Sequence, residues 1–560
     1  MRPSHPLETS PSGLRPCLLA GAALALLGCS AASYRADADR EVATILGDAS
    51  AQELGNRKEW VVRPPPEPEP APLPPGGNPA QSGNPAQSDP KSDPQAAAAA
   101  APPAPPPADV LYDLQKSLKT AFTGNRDFLA RKESLYQQGL SYSLTRFQFG
   151  PQFTAAVSYL WSTAEGGSDQ QGSSVQFGAS QILPTGGTLA LTSSASALWP
   201  YGAGVGFGSD SYSTVVGATL TQPLLRGSGY EISHEALTQA ERSLVYSIRD
   251  FELYRENFSI QVARTYYDLV SQQRTLAIED ANYEGAVFDR GKAEALYQVG
   301  RNSEQEVFRA RRREIEAKDQ LISARASYDR AIDEFKILLG LPTTARLDVA
   351  DSEAPFEPVR MREEAAVAAA RHNRLDLISQ QQQVEDAERA LRIATDNLLP
   401  DVDLVANYGI LGADNNASGA GPENWNASVG VSFEIPLQRK AQRNGLVSAQ
   451  IALEQSRRGF AQRLDQLDLE IRDALRNLKS IEERIVLQEE QVVQERGAVT
   501  VTEIRYESGK LDNRDLLEAR QALVNAQNAL IRLKVDHFIG RLSLLRDLGL
   551  FFVDSQGGWQ

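Results

Sequence analysis

"WNASVGVSFEIPL", residues 425–437, alternates along almost its whole length. Trp425, Ala427, Val429, Val431, Phe433 and Ile435 fall on one side, and Asn426, Ser428, Gly430, Ser432 and Glu434 on the other. A period of two is the mark of a strand with one apolar and one polar face. "DVDLVANYGI" (401–410) sets Val402, Leu404, Ala406, Tyr408 and Ile410 against Asp401, Asp403, Asn407 and Gly409. "PQFTAAVSYLW" (151–161) does the same with Phe153, Ala155, Val157, Tyr159 and Trp161. Strands of about ten residues with aromatic ends are the pattern of a transmembrane β-barrel wall. A soluble, half-buried sheet alternates in the same way and is the alternative.

The first stretch has a partner 213 residues upstream, "VGATLTQPL" (216–224) against "VGVSFEIPL" (429–437). A shift of 248 to 249 matches "NRDFLA" (125–130) to "NRLDLI" (373–378) and Pro151 to Pro400. A gapless shift of 209 pairs Tyr297 with Tyr506, Gly300 with Gly509, Ala310 with Ala519 and Arg311 with Arg520. It goes on to pair Ala317 with Ala526, Leu321 with Leu530, and "LGL" at 339–341 with "LGL" at 548–550. Order is kept throughout, so the chain holds two copies of one helix–strand–strand–helix unit, 109–352 and 353–552. The first copy carries strands within 151–223 and a long helix over 231–299; the second carries strands within 401–436 and a long helix over 441–508.

In the first long helix Leu237, Leu244, Phe251 and Phe258 form a heptad row that steps by four to Val262, Leu269, Leu276 and Tyr283. Such a stutter relaxes supercoiling. At 1.5 Å per residue this helix reaches roughly 100 Å. Shorter helices over 112–147 and 303–340 together nearly match it. Four strands are too few to close around a polar lumen, because a closed sheet needs about eight or more. The chain therefore has to associate with copies of itself. A further hairpin is readable in "SSVQFGASQILPTGGTLALTSSAS" (173–196), turning at Pro184 to Gly187. It would raise the count to six strands per protomer and eighteen per trimer; a glycine- and serine-rich loop is the alternative.

The 560-residue chain carries a net charge of −15, which argues against nucleic-acid binding. Cys17 and Cys29 are the only cysteines and the four histidines are scattered, so no metal or cofactor site is expected. No nucleophile–base pair or phosphate loop points to an enzyme. Residues 1–28 have the form of a secretory signal. Its end, Leu-Leu-Gly-Cys at 26–29, resembles a bacterial lipobox, which implies cleavage before Cys29, lipidation of its sulfur and, with Ser30 following, export to the outer membrane. A plain signal peptide is the alternative. A short segment, 29–62, is expected to hold one helix near 34–54. Residues 63–108 are rich in proline, alanine and glycine and read as a linker. Residues 553–560 form a tail.

The duplicated unit, "QPLLRG" (222–227) closing a strand, the paired Tyr-x-x-Gly breaks, and the ends "LLGLP" (338–342) and "DLGL" (547–550) resemble the outer-membrane efflux protein family of TolC-like channels. The resemblance covers about 110–552. It implies an α+β membrane protein: a homotrimer with an outer-membrane β-barrel continued by a long periplasmic α-helical barrel. It also implies docking on a periplasmic adaptor (membrane fusion protein), an inner-membrane pump beyond it, and a passive exit duct for efflux or type I secretion. Gly300 and Gly509 are then the periplasmic turns, where glycine suits positive φ. The resemblance places a constriction at Asp515 and Glu518, with Glu306 as first-copy counterpart and Arg514 or Arg301 as cationic partners. Such a ring would favour cations. Ordinary first-turn acids that suit a helix dipole are the alternative. Adaptor docking falls at Val299, Gly300, Arg301, Ser508, Gly509 and Lys510. "VGRN" (299–302) and "SGKL" (508–511) depart from a Val-Gly-Leu-like step, which puts the adaptor preference in doubt. A coiled-coil lipoprotein that bridges the envelope without a pore is the competing function.

Overall fold

The structure, a computed structural model, describes residues 31–54, 110–163, 169–201, 210–301, 303–414, 424–508, 510–511, 513–554 and 557–559. The signal, Cys29, the 63–108 linker and Gly509 lie outside them. The described elements run α1 (Ala31–Leu54), β1 (Val110–Tyr112), α2 (Leu114–Gly124), α3 (Arg126–Gln148), β2 (Gln152–Ser162), β3 (Asp169–Ile182), β4 (Thr188–Tyr201) and β5 (Ser211–Pro223). They continue with α4 (Tyr230–Ser233), α5 (Glu235–Gln298), α6 (Glu304–Leu338), β6 (Leu347–Val349), α7 (Glu363–Asn373) and α8 (Leu375–Asp396). The chain closes with β7 (Asp401–Asp414), β8 (Asn424–Glu434), α9 (Lys440–Glu507) and α10 (Asn513–Asp547).

The chain forms two compact units. Among the described residues, one contains Ala31–Leu54, Glu133–Ile248 and Asp401–Phe433; the other holds 110–132, Arg249–Pro400 and the chain from Glu434 onward. In the first unit, six strands form one sheet in the order β2-β3-β4-β5-β7-β8. The sequence left 173–196 open between hairpin and loop, and residues 173–182 and 188–196 lie in strands β3 and β4, joined by a turn at 183–187. Register carries one face across the sheet. Phe153, Phe177, Leu191, Val216 and Tyr408 lie on the apolar side, and Thr154, Ser174, Thr192 and Thr219 on the polar side. Hydroxyls meet on the polar face, Ser158 with Ser174 and Ser196 with Ser213, each at 2.7 Å. The apolar face is open in one chain: Phe153 is 80% exposed and Val429 76%.

α1 belongs to the same unit and crosses α3 where Gly139 lets the backbones approach; a Cβ there would fall 2.8 Å from Val42. The Tyr136 hydroxyl donates to Asp39 at 2.6 Å, and Ser143 donates to Glu41 at 2.7 Å. Val42 and Leu46 are buried.

In the second unit the duplication survives at the level of single hydrogen bonds. Leu341 N donates to Lys336 O at 2.8 Å, and Leu550 N to Leu545 O at 2.9 Å, 209 residues later. Gly340 and Gly549 both have positive φ, 76° and 67°. Gly340 is pressed on Gly124, where a Cβ would fall 1.9 Å from the Gly124 carbonyl, and Gly549 abuts Asn373. The heptad row is buried here, with Phe251, Phe258, Val262 and Leu269 all shielded. Phe122, Phe128 and Phe258 stack together with ring centroids 4.6–5.3 Å apart. α7 and α8 bury Ala366, Ala370 and Leu377 against Leu467, Ile471 and Leu478 of α9, Leu544 of α10 and Leu548 just beyond it.

Two helices differ from the sequence expectation. The helix read over 112–147 breaks at Asn125, whose side chain accepts from Phe128 N at 2.8 Å and donates to Leu338 O at 2.8 Å. An asparagine that caps the next helix competes with continuing the previous one. The second copy breaks correspondingly at Arg374. The long helix expected from 231 is offset at His234, so α5 starts at Glu235. Two features had no sequence signal. β1 and β6 pair in parallel, Val110 with Leu347 and Tyr112 with Val349. The tail folds back, with Arg255 donating to Val553 O at 2.7 Å and Ser259 to Gly557 O at 3.1 Å.

Candidate functional site

The two helix reversals are built alike. After α5, Arg301 N donates to Leu296 O at 2.8 Å and Gly300 takes φ 71°. A 6→1 bond around a left-handed glycine closes a helix and satisfies its last carbonyls. After α9, Lys510 N donates to Arg505 O at 2.9 Å, the same bond 209 residues on. Ser303 then caps α6, its side chain accepting from Glu306 N. Val299 is 70% exposed, and Arg301, Ser508 and Lys510 are exposed beside it. Tyr297, Ile504 and Phe308 add apolar surface near these turns.

Asp515 and Glu518 lie in the first two turns of α10, both exposed, while Leu516 between them is buried. Neither makes an ion pair among the described residues. Glu306 is placed differently: its side chain keeps 16% exposure and accepts from Arg309 at 2.7 Å. Its other carboxylate oxygen is buried without a hydrogen bond. The structure does not pair these acids with Arg514 or Arg301 within one chain. Arg309, one turn away on the same helix as Glu306, reaches that carboxylate first.

A charge cluster that the sequence reading missed lies nearby. The Arg520 guanidinium donates to Asp289 of α5 at 2.7 Å and to Glu503 of α9 at 3.0 Å, joining three helices. Gly285 leaves room for it, since a Cβ there would be 3.1 Å from Arg520 Nη1. Asp289 is 2% exposed. Burial pushes its carboxyl above the usual carboxylate range, Arg520 and Lys292 pull it back, and Glu503 adds to the rise. Lys292 sits 4.8 Å over the Tyr506 ring. In the first copy, Arg311 donates to Glu294 at 3.5 Å. Arg311 and Arg520 correspond by the 209 shift, and so do Glu294 and Glu503. The repeat thus held a signal for one arm of the cluster; Asp289 had none, because its counterpart position is Ala498.

Among the described residues no helix is long and apolar enough to cross a membrane, and no group of side chains has metal-ligating geometry.

Residues 366–549, most of the second copy, match the family of outer membrane efflux proteins. The outer membrane protein TolC of Escherichia coli (strain K12) is 23% identical over 362 residues, covering 61% of this chain and 70% of that protein. Among solved structures, the outer-membrane channel OprN superposes with a TM-score of 0.60 at 19% identity, over 78% of this chain and 89% of that one. The Campylobacter jejuni CmeC outer membrane channel gives 0.60 at 17% identity, over 80% and 86%. Residues 366–549 thus resemble the outer membrane efflux proteins, and the solved outer-membrane channels share this chain's fold.

Proposed function

We propose that this chain is the protomer of a homotrimeric outer-membrane channel, the passive exit duct of a tripartite efflux or type I secretion assembly. The single observation that carries the reading is the six-stranded sheet, apolar along one face and polar along the other, in a chain whose residues 366–549 match the outer membrane efflux proteins. An envelope-bridging stalk has no use for a lipid-facing sheet. Lipid at Cys29 anchors the N-terminus in the outer membrane, and the long helices of the two repeats lie in the periplasm.

Association is supported by apolar side chains left open in one chain. Phe308, Ile315 and Ile322 recur every seven residues along α6, and Val486, Val493 and Ile504 line α9. Stripes of this kind suit coverage by a neighbouring helix. The turns at Val299, Gly300 and Arg301 and at Ser508 and Lys510, exposed at Val299, Arg301, Ser508 and Lys510, together with Gly509, which lies outside the described residues, are the docking surface for a periplasmic adaptor that links to an inner-membrane pump. Three copies of Asp515 and Glu518 form an acidic constriction at the axis, supported by their exposure and by the absence of an ion pair to either among the described residues. Concentrated carboxylates favour cations and resist anions.

Planar-bilayer conductance tests this directly. Wild-type protein should give a small, cation-selective conductance, and Asp515→Ala with Glu518→Ala should raise it and weaken the selectivity. No conductance from either, in protein shown to be folded and inserted, would reject the channel. An unchanged conductance in the variant would keep the channel and reject the acidic constriction.

A further inference from the structure

The duplication accounts for four of the six strands. β2 and β5 of the first copy correspond to β7 and β8 of the second, and only the first copy inserts β3 and β4 between its pair. The insert is part of the sheet along its full length, β3 pairing with β2 from Gln170 to Ser180 and β4 with β5 from Thr188 to Leu198. Its turn is seated as firmly as its strands. Leu183 N donates to Gly187 O at 2.7 Å, Gly229 N to Thr185 O at 2.9 Å, and Thr185 Oγ1 to Gln222 Oε1 at 2.6 Å. Gly186 takes φ 89°, and a Cβ on Gly187 would fall 2.5 Å from Gln222 Oε1. The "LPTGG" stretch is thus shaped to its socket.

The polar face of this sheet is also unusual in what it lacks. Thr154, Ser174, Gln176, Thr192, Ser194 and Thr219 supply hydroxyls and amides. Among the described strand residues, charge on this face is confined to Asp401, Asp403 and Glu434, at the strand ends that join helices. The outer strands β2 and β8 are exposed and have one neighbour each.

From this we infer that, given the trimeric channel proposed above, the barrel closes through eighteen strands, β2 of one protomer beside β8 of the next, around a wide, charge-neutral lumen suited to bulky hydrated cargo. Six strands alone cannot enclose a polar lumen, and barrel diameter grows roughly linearly with strand number. The inserted hairpin therefore widens the bore by about half, and its cross-section about twofold, over the four strands per protomer of the bare duplication. Neutral hydroxyls and amides keep the wall wetted without holding either sign of charge. Fixed charge on the wall stands only at its helix-side end, at Asp401, Asp403 and Glu434, so the rest of the barrel passes cargo regardless of its charge.

Thiol labelling of the full-length, reconstituted protein tests both statements, because Cys17 and Cys29 are the only native cysteines. Single variants Ser174→Cys and Ser194→Cys face the lumen, and Phe177→Cys and Leu191→Cys face lipid. Membrane-impermeant methanethiosulfonates of either charge should label the first pair and spare the second. Cationic and anionic rates should differ by less than the roughly tenfold or greater enrichment of a charged cleft. A bulky polyethylene-glycol maleimide should also reach Ser194→Cys. Equal labelling on both faces would remove the hairpin from the barrel wall, and a larger rate ratio would refute the neutral lumen. Native mass spectrometry of the same sample separates the premise: an assembly other than a trimer rejects the channel reading. A trimer whose Ser194→Cys takes small reagents but not the polymer rejects the wide bore.

Discussion

Replacing Arg520 with alanine should loosen one defined patch of the helical unit, by an amount the structure bounds. Arg520 is the main cationic partner of Asp289, whose side chain is 3% exposed, while Arg520 keeps 24% exposure. Stranding a carboxylate by removing the partner of a fully buried pair costs about 3–5 kcal/mol. The partial exposure of Arg520 and the nearby Lys292 reduce this to about 2–3 kcal/mol. At about 1.4 kcal/mol per tenfold, amide exchange around 286–290 should accelerate by roughly 30- to 150-fold. The pH dependence has a definite sign. A carboxyl whose folded pKa is raised contributes favourably below its unfolded pKa, and loses that contribution as pH rises through the folded value. Asp289 is such a group, and without Arg520 its carboxyl rises further. The acceleration in Arg520→Ala should therefore be smaller at low pH and grow as pH rises through the raised Asp289 value, after correction for intrinsic exchange. Asp289→Asn added to Arg520→Ala should restore much of the protection, because no charge is left stranded. Unchanged exchange at the higher pH, or a double variant no better than the single, would refute the assignment.

Three other expectations are open to measurement. Gly340→Ala should abolish folded protein, since it combines φ 76° with a Cβ 1.9 Å from the Gly124 carbonyl. Gly300→Ala, at φ 71° in open space, should cost only about 1–2 kcal/mol and keep its folded yield. Burial, and then Asp39, push the Tyr136 hydroxyl up to about 12 from 10.0. The docking of α1 should thus hold below about pH 10 and fail as pH rises through about 12, while Tyr136→Phe should weaken it by about 1.5–3 kcal/mol at neutral pH, both read by proteolysis within 31–54. Lys534 pairs with Glu353 at 2.9 Å and Glu489 at 3.2 Å, and its hydrogen bond is the chief cause holding the Glu353 carboxyl below its usual value. Lys534→Met should destabilise the 351–357 segment by about 0.5–1 kcal/mol in amide exchange. That effect should be present at neutral pH and fade as acid titrates Glu353 through its lowered value.

Patterns written in neighbouring residues were readable before any coordinates. Alternation placed Val429, Val431 and Phe433 on one face, and the 209-residue shift paired Gly300 with Gly509 and anticipated the matched helix ends at Arg301 and Lys510 and the matched glycines at 340 and 549. Period and repetition are local or self-referential, and each is complete within the chain's own text. Contacts whose value depends on a distant partner were not readable. The hairpin at 173–196 alternates weakly, and its serines and glycines suit a loop as well as a strand. Its place in the sheet was decided by β2 and β5 on either side and by the socket at Gln222 and Gly229. Asn125 interrupts a helix-forming stretch because Leu338 O, 213 residues away, is there to receive its amide. Asp289 reads as one more surface acid until Arg520, 231 residues later, is set against it. Helices and strands followed from spacing along the chain, because backbone geometry repeats at fixed periods. The width of the sheet and the partner of each buried charge followed only from folding, because they depend on which distant segments exclude water together.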